Sequence, residues 1–291
     1  MPISFKTIAL IGRYKSRDVG DPLARLGRFL RKLGCRVVVD QQTAESSGVR
    51  AFPAATFAEI GREADLAVVL GGDGSMLSAA RALASYRTPL VGINQGRLGF
   101  TTDITLASME RSMRSILDGE FQQETRSMLE VRVQRGTVVV TRCSGLNDVV
   151  VSKGALGRLI ELIVNIDGKF VYDLRSDGLI MTTPTGSTAY ALSSNGPILH
   201  PGVSGISLVP ICPHTLSNRP ITIPDRSKVE VIVSHAPEAK LHVDGQPQAN
   251  VMSGDRVTVR RSRHVARFIH PASYDYFSML RSKLHWSEAL L

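Results

Sequence analysis

Cysteine is scarce. The 291 residues include three, Cys35, Cys143 and Cys212, which are far apart and form no CxxC pair. That excludes a disulfide framework and a zinc site of paired thiolates, and it fits a reducing, cytoplasmic setting. Long apolar runs are missing too. The opening MPISFKTIALIG has only a brief one that ends in glycine, too short for a signal-peptide core or a membrane span, so a soluble protein without a membrane partner is expected. Aromatic residues make up 5%, too few to accompany the basic residues as a nucleic-acid stacking surface would require. Lysine and arginine number 35 against 26 aspartates and glutamates, a net charge of +9, which favours anionic ligands without choosing among them. The late cluster Arg256, Arg260, Arg261, Arg263 and Arg267 alternates with Val257 and Val259 and reads as the solvated face of antiparallel strands. No nucleic-acid partner is expected.

What is present centres on Asp65 to Ala84, DLAVVLGGDGSMLSAARALA. The short apolar run Leu66 to Leu70 suits a strand covered on both faces, as in a parallel sheet. Gly71, Gly72 and Gly74 then permit backbone angles closed to other residues, so the chain can turn and bring N–H groups close to a ligand. Ser75 is placed to cap the following helix, whose positive end favours phosphate. Asp73 makes this more than a phosphate cradle. A carboxylate beside phosphate is repulsive unless a metal ion screens it or a hydroxyl donates to it, an arrangement suited to chemistry. The stretch is neither a dinucleotide GxGxxG fingerprint, because Leu77 stands where a small residue is needed, nor a P-loop, because no GK[ST] follows.

At 43% hydrophobic the chain can form two domains with real cores. In the first, Thr7 to Ile11 reads as a strand, Asp21-Pro22 as a helix cap and first-turn proline, and Leu23, Leu26, Phe29, Leu30 and Leu33 as a helix stripe. Arg36 to Asp40 is a second strand and polar Gln41 to Pro53 a loop. Thr56 to Glu63 is a short helix, Pro89 to Ile93 a strand, Asn94 to Phe100 a glycine-containing loop, and Met109 to Leu117 a helix. Near Glu120 the pattern changes to period two, as in Ile160, Leu162, Val164 and Ile166 before the Asp167-Gly168 turn. The expected architecture is an α/β domain with a mostly parallel sheet over residues 1–122 and a mainly β, two-sheet sandwich over 123–270. A C-terminal segment, 271–291, has a helix at Tyr276 to Leu284 that returns to the first domain.

Polar groups interrupt the β region at Asn147-Asp148, at Arg175 and Asp177 in LRSDGLI, and at TTPTGSTAYAL from Thr182 to Leu192. The last offers hydroxyls, a flexible backbone and a stackable Tyr190, features that can hold an adenine and its ribose. GGDG at Gly71 to Gly74, ND at Asn147-Asp148, RSDG at Arg175 to Gly178, TPTGSTAY at Thr183 to Tyr190 and VPICPHTLSNRP at Val209 to Pro220 together resemble the NAD kinase family, in the order of its bacterial members. GGDG alone is shared with lipid kinases and phosphofructokinases, whereas TPTGSTAY is highly specific. The resemblance covers nearly the whole chain. It implies transfer of the γ-phosphate of ATP to the adenosine ribose 2′-hydroxyl of NAD to give NADP, with a divalent metal such as Mg2+, in a homodimer or homotetramer.

By the same resemblance Asp73 is the proton acceptor, and Gly72 and Gly74 help hold the dinucleotide. Asn147 and Asp148 bind its ribose and adenine region. Arg175, Asp177 and Gln246 are further contacts, as are Thr188, Ala189, Tyr190, Ala191, Leu192 and Ser193. Arg158 falls at a variable ligand-facing position. Phe100 either packs against adenine or is a core aromatic. Many members carry NE where this chain has Asn147-Asp148, so its acid is one methylene shorter. The GGDG loop and the β-domain groups are expected to face one cleft.

Overall fold

Short β-branched runs alternating with amphipathic stretches become, in the first part of the chain, parallel strands and helices. A computed structural model describes residues 5–13, 16, 18–96, 99–154, 158–215, 217–236 and 238–286. The chain divides into two units, Met1–Thr125 with Ala266–Leu291, and Arg126–Val265.

In the first unit the order is β1 (Thr7–Gly12), α1 (Gly20–Lys32), β2 (Arg36–Asp40), α2 (Gln41–Ser47), β3 (Ala54–Ala55), α3 (Phe57–Glu63), β4 (Leu66–Gly71), α4 (Asp73–Leu83), β5 (Leu90–Asn94), β6 (Ile104–Thr105) and α5 (Met109–Leu117). The strands lie side by side as β3-β2-β1-β4-β5, all parallel, with β6 parallel beside β5. The chain steps outward from β1 to β3 and resumes on the other side of β1 with β4. In an open parallel sheet this reversal leaves a crevice at the carboxyl ends of the strands, and the GGDG stretch begins at the carboxyl end of β4.

β4 is buried at every residue. Leu66, Val68 and Leu70 share a core with Ile8, Leu10, Val37 and Val39 of neighbouring strands and with Leu23, Leu26 and Leu30 from α1. Each such side chain contributes about 1.5–3 kcal/mol on full burial, so the strand ahead of Asp73 is a rigid base.

Two local expectations change. Helix α1 starts at Gly20 with no side-chain cap, and Asp21 lies inside the first turn, where its charge meets the positive helix end. Residues 41–53 are not all loop. The Asp40 carboxylate accepts from Thr43 N at 2.9 Å and from its hydroxyl at 2.8 Å, and this cap starts α2 in the apolar-poor stretch QQTAESS.

The second unit is built of antiparallel strands. β7 (Phe121–Arg135) enters it and is followed by β8 (Val138–Gly145), β9 (Asp148–Lys153), β10 (Ile160–Ile166), β11 (Lys169–Ser176) and β12 (Gly178–Thr182). A 3-10 turn (Thr185–Thr188) leads into the single turn α6 (Tyr190–Ser193). Then come β13 (Gly205–Ile211), β14 (Ile221–Pro224), β15 (Val229–His235), β16 (Ala239–Val243), β17 (Gln246–Val251) and β18 (Arg256–Pro271). One sheet runs β11-β10-β15-β18, with β7 beside β18 and β8 beside β7, and the other runs β14-β13-β12-β9-β16-β17.

Alternate residues of both sheets, among them Val131, Val133, Val149, Val151, Leu162, Val164, Val231 and Val257, form one core. The opposite face of the second sheet is covered as well, since Val150, Ile180 and Val209 pack with Ala191 of α6. This double burial explains why β9 and β12 read as continuous apolar runs. The Asp167-Gly168 turn has φ of 52° and 79°, the left-handed pair that a two-residue hairpin needs.

The division between units falls inside β7 and β18, so no linker marks it in the sequence. Helix α7 (Tyr276–Leu284) belongs to the stretch assigned to the first unit. Its cap is Asp275, which accepts from Phe277 N and Ser278 N.

Candidate functional site

At the end of β4, helix α4 begins at Asp73 itself, with Gly72 as its N-cap at φ −111° and no side-chain cap. Ser75 sits within the first turn and does not cap. Nor do Gly71, Gly72 and Gly74 adopt positive φ, unlike the turn glycines elsewhere in the chain. Of the three, only Gly71 is short of space. A Cβ on Gly71 would lie 2.5 Å from Ser75 Oγ, and Cβ atoms on Gly72 and Gly74 would meet nothing within 4 Å. The last two therefore bare the backbone at the positive end of α4, where a phosphate can approach closely.

Asp73 is clamped by the loop that follows β5. Its Oδ1 accepts from Thr101 N at 2.9 Å and from the Thr101 hydroxyl at 2.7 Å, and its Oδ2 accepts from Phe100 N at 3.0 Å. Asn94, at the end of β5, holds the same loop by donating to Thr102 Oγ1 at 2.9 Å and accepting from Gly96 N. Any side chain on Gly99 would collide with the Asp73 carboxylate. Phe100 thus meets Asp73 through its backbone, and its ring is half-buried.

In the second unit, Asn147 and Asp148 sit at the start of β9, and the residue that shapes them is distant in sequence. Asp244 accepts from the backbone N–H groups of Leu146 at 2.9 Å, Asn147 at 2.7 Å and Asp148 at 3.2 Å. Asp244 N donates in return to Asp148 O at 3.0 Å. Asp244 and Gly245 make the β16–β17 turn with φ of 48° and 73°. From the TPTG stretch, Thr183 N and Thr182 Oγ1 donate to Asn147 O at 2.9 and 3.0 Å, and Thr183 Oγ1 donates to Leu146 O at 2.6 Å. Gly186 packs so closely on the Asn147 carbonyl that a Cβ would overlap it. The two motifs are one built unit.

The other expected contacts are distributed around it. Gln246 is exposed two residues beyond Asp244. Tyr190, 47% exposed, presents its ring outward from α6. Ser193 is exposed, while Thr188, Ala189 and Leu192 are half-buried. Ala191 faces the core, so only its backbone can meet a ligand. Asp177 is paired with Lys153 Nζ at 2.7 Å, and exposed Arg175 stands 3.8 Å from Glu161. Arg158 is exposed in the β9–β10 connection.

Comparison with known proteins adds to this geometry. The family model described as ATP-NAD kinase N-terminal domain matches residues 8–121, and the ATP-NAD kinase C-terminal domain matches 146–271. The NAD kinase of Aromatoleum aromaticum is 52% identical over 288 residues, covering 99% of this chain and 96% of that one. The chain belongs to the NAD kinase family. The NAD kinase of an Azoarcus species is 50% identical over 99% of this chain and 98% of its own. Among solved structures, an NAD kinase from Archaeoglobus fulgidus in complex with ATP is similar with a TM-score of 0.72 and 26% identity, covering 96% of this chain and 98% of that one. A yeast NADH kinase complexed with NADH has the same fold, with a TM-score of 0.89 over 100% of this chain and 90% of that one at 24% identity.

Within this NAD kinase framework, sequence reading missed Thr101 and Asp244. Asp244-Gly245 is legible as a turn dipeptide, but nothing local shows that its carboxylate serves residues nearly a hundred positions earlier. Asp148 is 4% exposed, and its pKa is raised to about 7, first by burial and then by the neighbouring Asp244 charge. Among the described residues no three His, Cys, Asp or Glu side chains gather as a metal cage.

Proposed function

We propose that Asp73 takes the proton of the adenosine ribose 2′-hydroxyl of NAD as that oxygen attacks the γ-phosphorus of ATP. The new bond joins the 2′-oxygen to phosphorus. The bond from the γ-phosphorus to the β,γ-bridging oxygen breaks, and ADP and NADP are the products. The reading rests above all on the Asp73 clamp. A carboxylate has about four acceptor positions, and the loop donors fill three of them. One on Oδ2 is left for a substrate hydroxyl, at the head of a helix whose first turn is bare backbone.

Asn147 and Asp148 bind the ribose and adenine region of NAD. Tyr190 supplies a stacking face, and Thr188, Ser193, Arg175, Asp177 and Gln246 supply polar contacts. Gly72 and Gly74 admit phosphate to the α4 terminus. Arg158 and Phe100 border the ligand. Mg2+ enters as the magnesium salt of ATP, and no proton-transfer step is assigned to it. The working form is a cytoplasmic homodimer or homotetramer, in keeping with three cysteines that are all free thiols.

The test is direct. Purified chain incubated with NAD and Mg-ATP should produce NADP, read with an NADP-specific dehydrogenase, in step with ADP. Folded protein that yields no NADP above background would overturn the reading.

A further inference from the structure

The second unit carries two adjoining hollows, of about 420 and 340 Å³, that share Glu130, Arg142 and Arg260. They lie on the solvent side of the sheet holding β8, β7, β18 and β15, since the alternate residues Val131, Val133, Val229 and Val257 point into the core. No residue of the proposed NAD or ATP contacts lines them.

The charges here are not those of a merely solvated sheet. Both carboxylates are already engaged, Glu130 with Arg260 at 3.0 Å and Glu230 with Arg256 at 3.1 Å. Arg132 and Arg142 remain in the smaller hollow with no carboxylate in ion-pair range among the described residues, and Lys228 lines it too, with its charge felt by Asp167. Arg132 and Arg142 stand directly opposite each other in the β7–β8 register, where like charges destabilise a sheet. The Nε of Arg132 is buried with no hydrogen-bond partner among the described residues, a further cost. A surface needing only solubility would place an acid across from one of these arginines.

We propose that this face is a binding site for a small anion carrying two or more phosphate groups. Side chains directly opposite on paired strands have Cβ atoms about 4.5–5.5 Å apart, so the guanidinium groups of Arg132 and Arg142 can close on one phosphate, each with two parallel donors. From β8 across β7 and β18 to β15 is three strand spacings, roughly 14 Å. Lys228, just before β15 and lining the same hollow, therefore reaches a second phosphate of the same molecule. No Phe, Tyr or Trp lines either hollow, and the smaller one has no aromatic ring at all, which favours a compact phosphate chain over a single-stranded nucleic acid. The inference is independent of the proposed reaction.

The test is calorimetric titration of the whole chain with inorganic tripolyphosphate at low salt, with saturating NAD and ADP present to occupy the substrate sites. The wild type should bind one tripolyphosphate per chain, and orthophosphate at least tenfold more weakly. The Arg132→Gln/Arg142→Gln variant, and separately Lys228→Gln, should lose tenfold or more in affinity, with NAD turnover unchanged and the thermal midpoint of the double variant no lower than that of the wild type. Comparison with GTP separates the sources: equal affinity indicates a bare phosphate chain, and tighter binding a nucleotide. Failure of the wild type to bind tripolyphosphate, or equal binding by wild type and variants, would overturn the proposal. So would tighter binding of a short DNA duplex that the same variants abolish.

Discussion

Replacing Asp73 with asparagine is expected to lower kcat by about 10²- to 10⁴-fold, the usual worth of a positioned general base, with KM for NAD changed far less. The amide can still accept from Thr101 through one oxygen. Its NH2 group, however, would face the Phe100 N–H, donor against donor, where Oδ2 now accepts at 3.0 Å. That loss costs about 1–3 kcal/mol, so the variant must be compared at a temperature where it is folded, verified by circular dichroism. Thr101→Val serves as the companion. It removes one of the three donors, the hydroxyl on Oδ1, leaves the carboxylate in place, and should reduce kcat by a much smaller factor. A kcat for Asp73→Asn within threefold of wild type would remove Asp73 from the chemistry.

The second large effect concerns pH. Asp148 has its pKa raised to about 7 by burial and by the charge of Asp244. The folded chain therefore keeps a proton that the unfolded chain releases near pH 4. This favours the folded state fully at low pH, and the advantage is lost as pH rises through about 7. A shift of about three units corresponds to at most about 4 kcal/mol. Asp148→Asn has no carboxyl to ionise there. Urea unfolding at pH 5 and pH 8 should show the wild type losing stability relative to Asp148→Asn by about 2–3 kcal/mol as pH rises. Parallel behaviour of the two proteins would mean that Asp148 is solvated well enough to ionise normally. If Asp148 receives ribose hydroxyl bonds when NAD binds, those donors favour its ionised form, and the variant should bind NAD more weakly despite its greater stability.

Sequence reading reached the strand, the glycine turn and the helix around Asp73 because an apolar run, a glycine cluster and a helical stripe each leave a short-range imprint. The same holds for Met109–Leu117 and Tyr276–Leu284, whose helix bounds are those expected. It went astray where the decisive contact is geometric. The GGDG glycines were expected to be there for unusual φ, yet none takes positive φ; Gly71 is there for room, whereas Gly72 and Gly74 leave the backbone bare, distinctions invisible in composition. Helix α2 escaped notice because its signal is one cap, Asp40, at the end of a strand, followed by residues with almost no apolar periodicity. Within the candidate site, the motifs announced which residues matter but not what supports them. Thr101 and Asp244 act through backbone and carboxylate contacts across 28 and up to 98 positions, beyond the reach of any local pattern.

The β16–β17 turn shows what such a contact entails. Asp244 holds the left-handed conformation that closes this hairpin, and with the same carboxylate it ties down Leu146, Asn147 and Asp148. The hairpin tip and the motif turn cannot open one at a time, because opening either strands charged or polar groups of the other away from water. They form a single opening unit. In amide hydrogen exchange the N–H groups of Leu146 and Asn147 should share the protection of the hairpin, and Asp244→Ala should release both segments together.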